Sequence, residues 1–92
     1  MDLMTKQMEI MNLLQEECAE VIQMISKVRR FGLDELHFKL KQSNRASLTE
    51  EVGDMLALVD LLIETGVLSE MALQDAKIAK IEKLKIWSTI YA

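Results

Sequence analysis

The sequence predicts an all-α protein, a helical bundle completed by dimerisation, and three observations carry that expectation. The 92 residues contain no proline, and the three glycines stand far apart at Gly32, Gly53 and Gly66, so helix propagation is scarcely interrupted. Apolar residues recur at three- and four-residue intervals, the period of one face of an α-helix. Strict apolar–polar alternation and hairpin dipeptides such as Asn-Gly are both missing.

A first long helix is expected from about residue 3 to 30, with Met4, Met8, Met11, Leu14, Cys18, Val21/Ile22, Ile25 and Val28 as its apolar stripe. Arg29 and Arg30 suit the negative end of its dipole, and Gly32 suits the position just beyond its end. Asp34 to Lys41 reads as a short helix capped by Asp34, and Gln42 to Arg45 as the loop after it. Ser47 with Glu50 three residues later fits a capping box for the next helix. That helix turns Leu48, Val52, Met55/Leu56, Val59 and Leu62/Ile63 inward and ends at Gly66. Ser69 caps a last helix over about 70 to 86, with Ile78, Ile81 and Leu84 on its apolar side. Trp87 to Tyr91 is left to dock on a partner or to stay loose.

Length and composition set the frame. Ninety-two residues make one domain, 1–92, and half of them are hydrophobic although only four are aromatic. The core is therefore expected to be aliphatic and rich in Met. Four helices, one of them short, form too thin a layer to hide so much Leu, Ile and Met, which predicts a homodimer or a tetramer built as a dimer of dimers. Cys18 is the only cysteine, so no disulfide is possible within the chain, and a reduced, cytoplasmic setting is expected. Asp2, Lys6 and Glu9 interrupt any signal-like apolar run near residue 1. The longest apolar stretch, Met55 to Ile63, contains Asp60 and falls well short of the ~20 residues that span a bilayer, so no membrane role is expected. A net charge of −4 argues against nucleic acid as a partner, because such binding neutralises phosphates with Lys and Arg.

Two acidic clusters, Glu16-Glu17-Cys18-Ala19-Glu20 and Glu50-Glu51-Val52-Gly53-Asp54, interrupt apolar helices. Glu17 with Glu20, and Glu51 with Asp54, are spaced so that each pair shares a helix face, where like charges weaken the helix. Neighbouring Cys18, Val21, Val52 and Met55 place both pairs at the edges of the apolar stripes, where two helices meet. Hard oxygen donors of this kind suit Mg2+, with Mn2+ as a substitute; a lone His37 and a lone Cys18 offer no softer site. Glu16 stands beside the first pair, placed to orient or deprotonate a water, while Glu50 is assigned to the helix start. A solvated acidic face is the competing reading of each cluster alone. Gly53 counts against it, since glycine inside a helix costs about 1 kcal/mol relative to alanine and its presence reflects close packing or function.

The two motifs, Glu16-Glu17-Cys18-Ala19-Glu20 and Glu51-Val52-Gly53-Asp54, together resemble the MazG-like, all-α nucleoside triphosphate pyrophosphohydrolases. The run Leu48 to Leu56, the turn Thr65-Gly66-Val67 and the lysine-rich stretch Lys77 to Lys85 extend the resemblance. It implies a Mg2+-dependent hydrolase that converts a (d)NTP to the monophosphate and pyrophosphate in housecleaning or pool control. Glu17, Glu20, Glu51 and Asp54 would be metal ligands, Glu16 and Glu17 catalytic, and the subunits dimers or tetramers. Lys80 and Lys83 share part of a helix face and are candidates for phosphate contacts; Phe31, His37 and Trp87 are weaker candidates for the base. A phosphoribosyl-ATP pyrophosphohydrolase is the alternative enzyme, disfavoured because Met55 to Asp60 holds no histidine. A non-catalytic helical interaction module is the alternative of another class, motivated by Met1, Met4, Met8, Met11 and Met24.

Overall fold

The computed structural model describes residues 1–37 and 41–92, with the side chain of His37 outside that description. Helix α1 spans Leu3–Phe31, a two-residue strand β1 Leu36–His37 pairs antiparallel with β2 Gln42–Ser43, and helices α2 Asn44–Glu64 and α3 Glu70–Trp87 follow. Asp2 opens α1, its carboxylate accepting from the Thr5 N–H at 2.8 Å, and Gly32 closes it at φ +93°, a conformation that glycine alone adopts without strain. The Ser69 hydroxyl accepts from the Ala72 N–H and starts α3 where the sequence predicts.

Two expectations about the middle of the chain are corrected. The described part of 34–41 is not helical: Leu36 faces Ser43 and His37 faces Gln42 in a short ladder, while residues 38–40 lie outside the described residues. Helix α2 starts at Asn44, capped by the Ser43 hydroxyl on the Ala46 N–H, so the capping box at Ser47 and Glu50 does not form. The cause is a fold-back that local pattern cannot show. The buried Asn44 donates its amide to the Gly32 carbonyl at 2.9 Å, the Asn44 N–H donates to the Glu35 carbonyl, and the Arg45 N–H to Leu33. Those bonds fix Ser43 in extended backbone at the mouth of the helix and satisfy its first N–H groups.

Helices α1 and α2 lie antiparallel, the Gln7 amide donating to the Thr65 carbonyl at one end and Asn44 reaching Gly32 at the other. The seam of α1 is Gln7, Ile10, Leu14, Glu17, Val21, Met24 and Val28; that of α2 is Asn44, Leu48, Glu51, Met55, Leu58 and Leu62. Met4, Met8, Ile22 and Ile25, read from the sequence as part of the same stripe, are exposed on a second apolar face of α1. Helix α3 scarcely touches either partner and has no buried residue; Ile78, Ile81, Ile86 and Trp87 all face out.

The chain is thus a plate of 43 × 38 × 14 Å, about one helix thick. Its radius of gyration is 16.3 Å, where a compact chain of this length has about 12 Å. Its accessible surface is 7354 Å², against about 5,400 Å² for a compact monomer of this mass. A stable domain needs two packed layers, and this chain supplies one. None of the described helices is long and apolar enough to cross a membrane.

Candidate metal centre

Glu17 stands on α1 and Glu51 on α2, where those two helices meet. Each is half-buried, and Asp54, one turn beyond Glu51, joins them from the exposed side. One carboxylate oxygen from each of the three lies within 4.8 Å of the others. The Glu17 carboxyl is held above the ordinary glutamate value, first by partial burial and then by the charges of Asp54, Glu51, Glu20 and Glu16. Five carboxylates therefore bear on one point of the helix seam.

Of the residues predicted from sequence, Glu17, Glu51 and Asp54 converge. Glu20 lies one turn along α1, exposed and outside the three-oxygen group, yet close enough for its charge to act on Glu17. Glu16 is exposed next to Glu17. Lys80 and Lys83 are exposed on α3, which scarcely meets the helices that carry the carboxylates. Phe31 is exposed beneath the Arg30 guanidinium, 5.1 Å from its ring centroid, and Trp87 is 82% exposed. Gly53 is exposed, and a Cβ there would meet nothing within 4 Å, so close packing inside the subunit does not account for it.

Three all-oxygen donors drawn from two helices, with repulsion unrelieved by any cation of the described ion pairs, fit a hard divalent ion. Cys18 is half-buried beside Glu17 and outside the group. The geometry therefore selects carboxylates alone, which suits Mg2+ or Mn2+ over thiolate-seeking metals.

A cavity of about 240 Å³ continues the site toward the start of α2, lined by Met24 and Lys27 of α1, by Gln42, and by Asn44, Ser47, Glu50 and Glu51 of α2. Glu51 belongs to both the cavity and the carboxylate group. Lys27, ten positions beyond Glu17 and part of no motif, was invisible to sequence reasoning; its neighbours Gln42 and Asn44 come from the fold-back. A wider depression of about 520 Å³ lies against Ile22, Ile25, Ser26, Arg29 and Arg30 of α1.

A family model described as the MazG nucleotide pyrophosphohydrolase domain matches residues 5–85, a span that holds all of α1, β1, β2 and α2 from Thr5 onward and most of α3. No curated protein and no solved structure matches the chain significantly.

Proposed function

Since the chain belongs to the MazG nucleotide pyrophosphohydrolase family, we propose that it hydrolyses a (d)NTP to the (d)NMP and pyrophosphate with Mg2+ at the α1–α2 seam. The observation that carries this reading is the convergence of Glu17, Glu51 and Asp54 within 4.8 Å. These three carboxylates hold the ion, and Glu20 adds a fourth from the next turn of α1. Mg2+ supplies Lewis-acid charge to the phosphate oxygens when bound, and Mn2+ can replace it.

The chain's own groups do the rest. Glu16, exposed at the rim, accepts the proton of the attacking water. The water oxygen bonds to one phosphorus of the α–β anhydride, the bridging P–O bond breaks, and monophosphate and pyrophosphate separate. Partial burial, and then the charges of Asp54, Glu51, Glu20 and Glu16, hold the Glu17 carboxyl above its ordinary value, and a bound cation would favour its ionised form. The role that fits is control of the nucleotide pool or removal of unwanted nucleotides in the cytoplasm.

The subunit works as a homodimer, or as a tetramer of two dimers, in this reading. Its one-helix thickness and the exposure of Met4, Met8, Ile78, Ile81 and Trp87 support that assembly. Lys80 and Lys83, remote from the carboxylates of their own chain, reach the phosphates of the partner's site.

Incubation with a (d)NTP panel and Mg2+ tests the reaction. Monophosphate and pyrophosphate are expected. Diphosphate with phosphate, or no turnover across the panel, counts against it.

A further inference from the structure

Helix α1 carries a second stripe beside the one it turns to α2. Met4, Met8, Met11, Cys18, Ile22 and Ile25 follow alternating intervals of four and three, with Gln15 filling the gap and Arg29 closing the series. Helix α2 repeats the pattern with Arg45, Thr49, Val52, Leu56, Val59 and Ile63. Unbroken heptads of this kind mark a seam between helices. Ile22 is 69% and Leu56 51% exposed, so the chain itself does not cover either stripe.

Both stripes look to one side of the plate. Each lies roughly 90–100° around its helix from the α1–α2 seam in the same sense of numbering, and antiparallel neighbours so patterned turn their stripes the same way. Glu20 and Asp54 lie about as far around in the opposite sense, so the acidic cluster belongs to the other side. Helices with two seams near a right angle are those of a four-helix bundle, where each meets two neighbours. Two stripes side by side need an antiparallel pair as cover, and the pair of matching length is that of a second copy. The surface has room for it. The chain exposes 7354 Å², about 1,900 Å² more than the roughly 5,400 Å² of a compact monomer, while a standard interface takes about 800 Å² per partner.

Charge sets how the copies lie. Arg29 and Arg30 end the α1 stripe at the end of the plate where Arg45 begins that of α2, and among the described residues neither Arg29 nor Arg30 is in an ion pair. Laying α1 over the partner's α2 would bring these arginines onto the same cluster of the partner. Laying α1 antiparallel over the partner's α1 carries them instead to the end that holds Asp2, Glu64 and the negative terminus of α2. That register sets Met8 against the partner's Ile25, Met11 against the partner's Ile22 and Gln15 against the partner's Cys18. The depression of about 520 Å³ at Ile22, Ile25, Ser26, Arg29 and Arg30 then receives the flexible thioethers of the partner's Met4 and the partner's Met8. We propose that the heptad face of α1 and α2 binds a second copy of this chain as a four-helix bundle, α1 antiparallel on α1 and α2 on α2, with the two acidic clusters turned outward. It gives the homodimer of the hydrolase reading a surface and a register, and rests on none of its chemistry.

Two full-length chains, Met8→Cys and Ile25→Cys, each with Cys18→Ala, test the register by oxidation. A disulfide needs Cα atoms within about 7 Å, and in this register each new cysteine stands roughly 25 Å from its own copy in the partner, at about 1.5 Å per residue. Refolded together, the two chains are expected to give roughly tenfold more linked dimer than either chain alone. Ile22→Asp with Leu56→Asp, exposed changes that leave the α1–α2 seam intact, are expected to reduce the sedimenting mass to about half without loss of helicity in circular dichroism. Links within either variant alone, no mixed disulfide, or an unmodified chain that sediments as a monomer overturns the proposal. So does a mass untouched by the double aspartate variant, which would leave the face to another partner. Pyrophosphate release is read separately. Release without the mixed disulfide overturns the register alone, and the mixed disulfide without release overturns the hydrolase reading alone.

Discussion

The α1–α2 pair and helix α3 are built to opposite specifications. All the buried residues described, Ile10, Met24, Leu62 and Asn44, belong to the pair, and so do the three converging carboxylates. Helix α3 buries nothing and leaves Ile78, Ile81, Ile86 and Trp87 exposed. The pair half-buries Glu17 and Glu51 between its helices, where apolar residues would pack better. Helix α3 leaves its apolar residues without a covering second layer among the described residues. The acidic cluster is built within one chain, and a cover for α3 is not.

Replacing a carboxylate of the pair tests its half of that contrast and carries the largest expected effect. Glu51→Gln or Asp54→Asn should lower Mg2+-dependent turnover at least a hundredfold, about 3 kcal/mol of barrier. Circular dichroism should show unchanged helicity, because neither side chain holds the helices together. Turnover within fivefold of the unmodified protein would remove these residues from the site.

The α3 half is tested by charge. Ile78→Asp with Ile81→Asp should convert the assembled protein to a smaller species in sedimentation. It should also lower Tm by about 5 °C or more, a cost near 1 kcal/mol for a domain of this size. In the unmodified protein Tm should rise with concentration, as mass action requires of an assembly that stabilises the fold. A concentration-independent Tm, with the double variant sedimenting unchanged, would show that α3 is not the cohesive surface.

The same contrast divides what sequence could and could not reveal. Helices α1 and α3 were legible because their signals are local: Gly32 ends one, and Ser69 starts the other. Asp2, which caps α1 by accepting from the Thr5 N–H, is a signal of the same local kind. The start of α2 was not legible. Ser43 and Ser47 both offer a cap, Glu50 favours Ser47 in a local reading, and the fold-back to Gly32, Leu33 and Glu35 decides for Ser43. The spacing of Glu17, Glu51 and Asp54 was legible as chemistry, but not that Glu20, spaced from Glu17 as Asp54 is from Glu51, would stand outside the three-oxygen group. Which carboxylates converge depends on the face that α1 turns to α2, and α1 has two apolar faces to choose from. Lys27 carries no local signal at all.

A smaller effect sharpens the trade within the pair. Glu17→Gln should raise the Tm of the metal-free protein at neutral pH by a few degrees while removing the gain in Tm that Mg2+ confers. The pH dependence has a definite sign. Burial and neighbouring charge raise the folded-state pKa of Glu17 above its ordinary 4.5, so the folded state holds the proton more tightly. Its favourable contribution is complete below 4.5 and is lost as pH climbs through the raised value. Metal-free protein should therefore gain less from neutral pH than its Glu17→Gln variant does, in thermal melts with chelator present. A variant less stable than the parent under those conditions would mean that the seam glutamate is held by contacts that outweigh the repulsion.

The smallest effect joins the two regions. Lys80→Ala with Lys83→Ala should reduce kcat/KM about tenfold at most, because exposed ammonium groups contribute modestly to phosphate binding. Its value lies in complementation. If α3 of one subunit serves the carboxylates of the other, the lesions at Glu51 and at the two lysines fall in the same site of a mixed dimer and leave its second site intact. Equal amounts of the Glu51→Gln chain and the double lysine variant, unfolded and refolded together, should then recover about a quarter of full activity under subsaturating substrate. If the lysines serve their own chain, every site retains one lesion and the mixture yields about a twentieth. The fivefold gap separates an α3 that only holds subunits together from one that also reaches into the neighbour's chemistry.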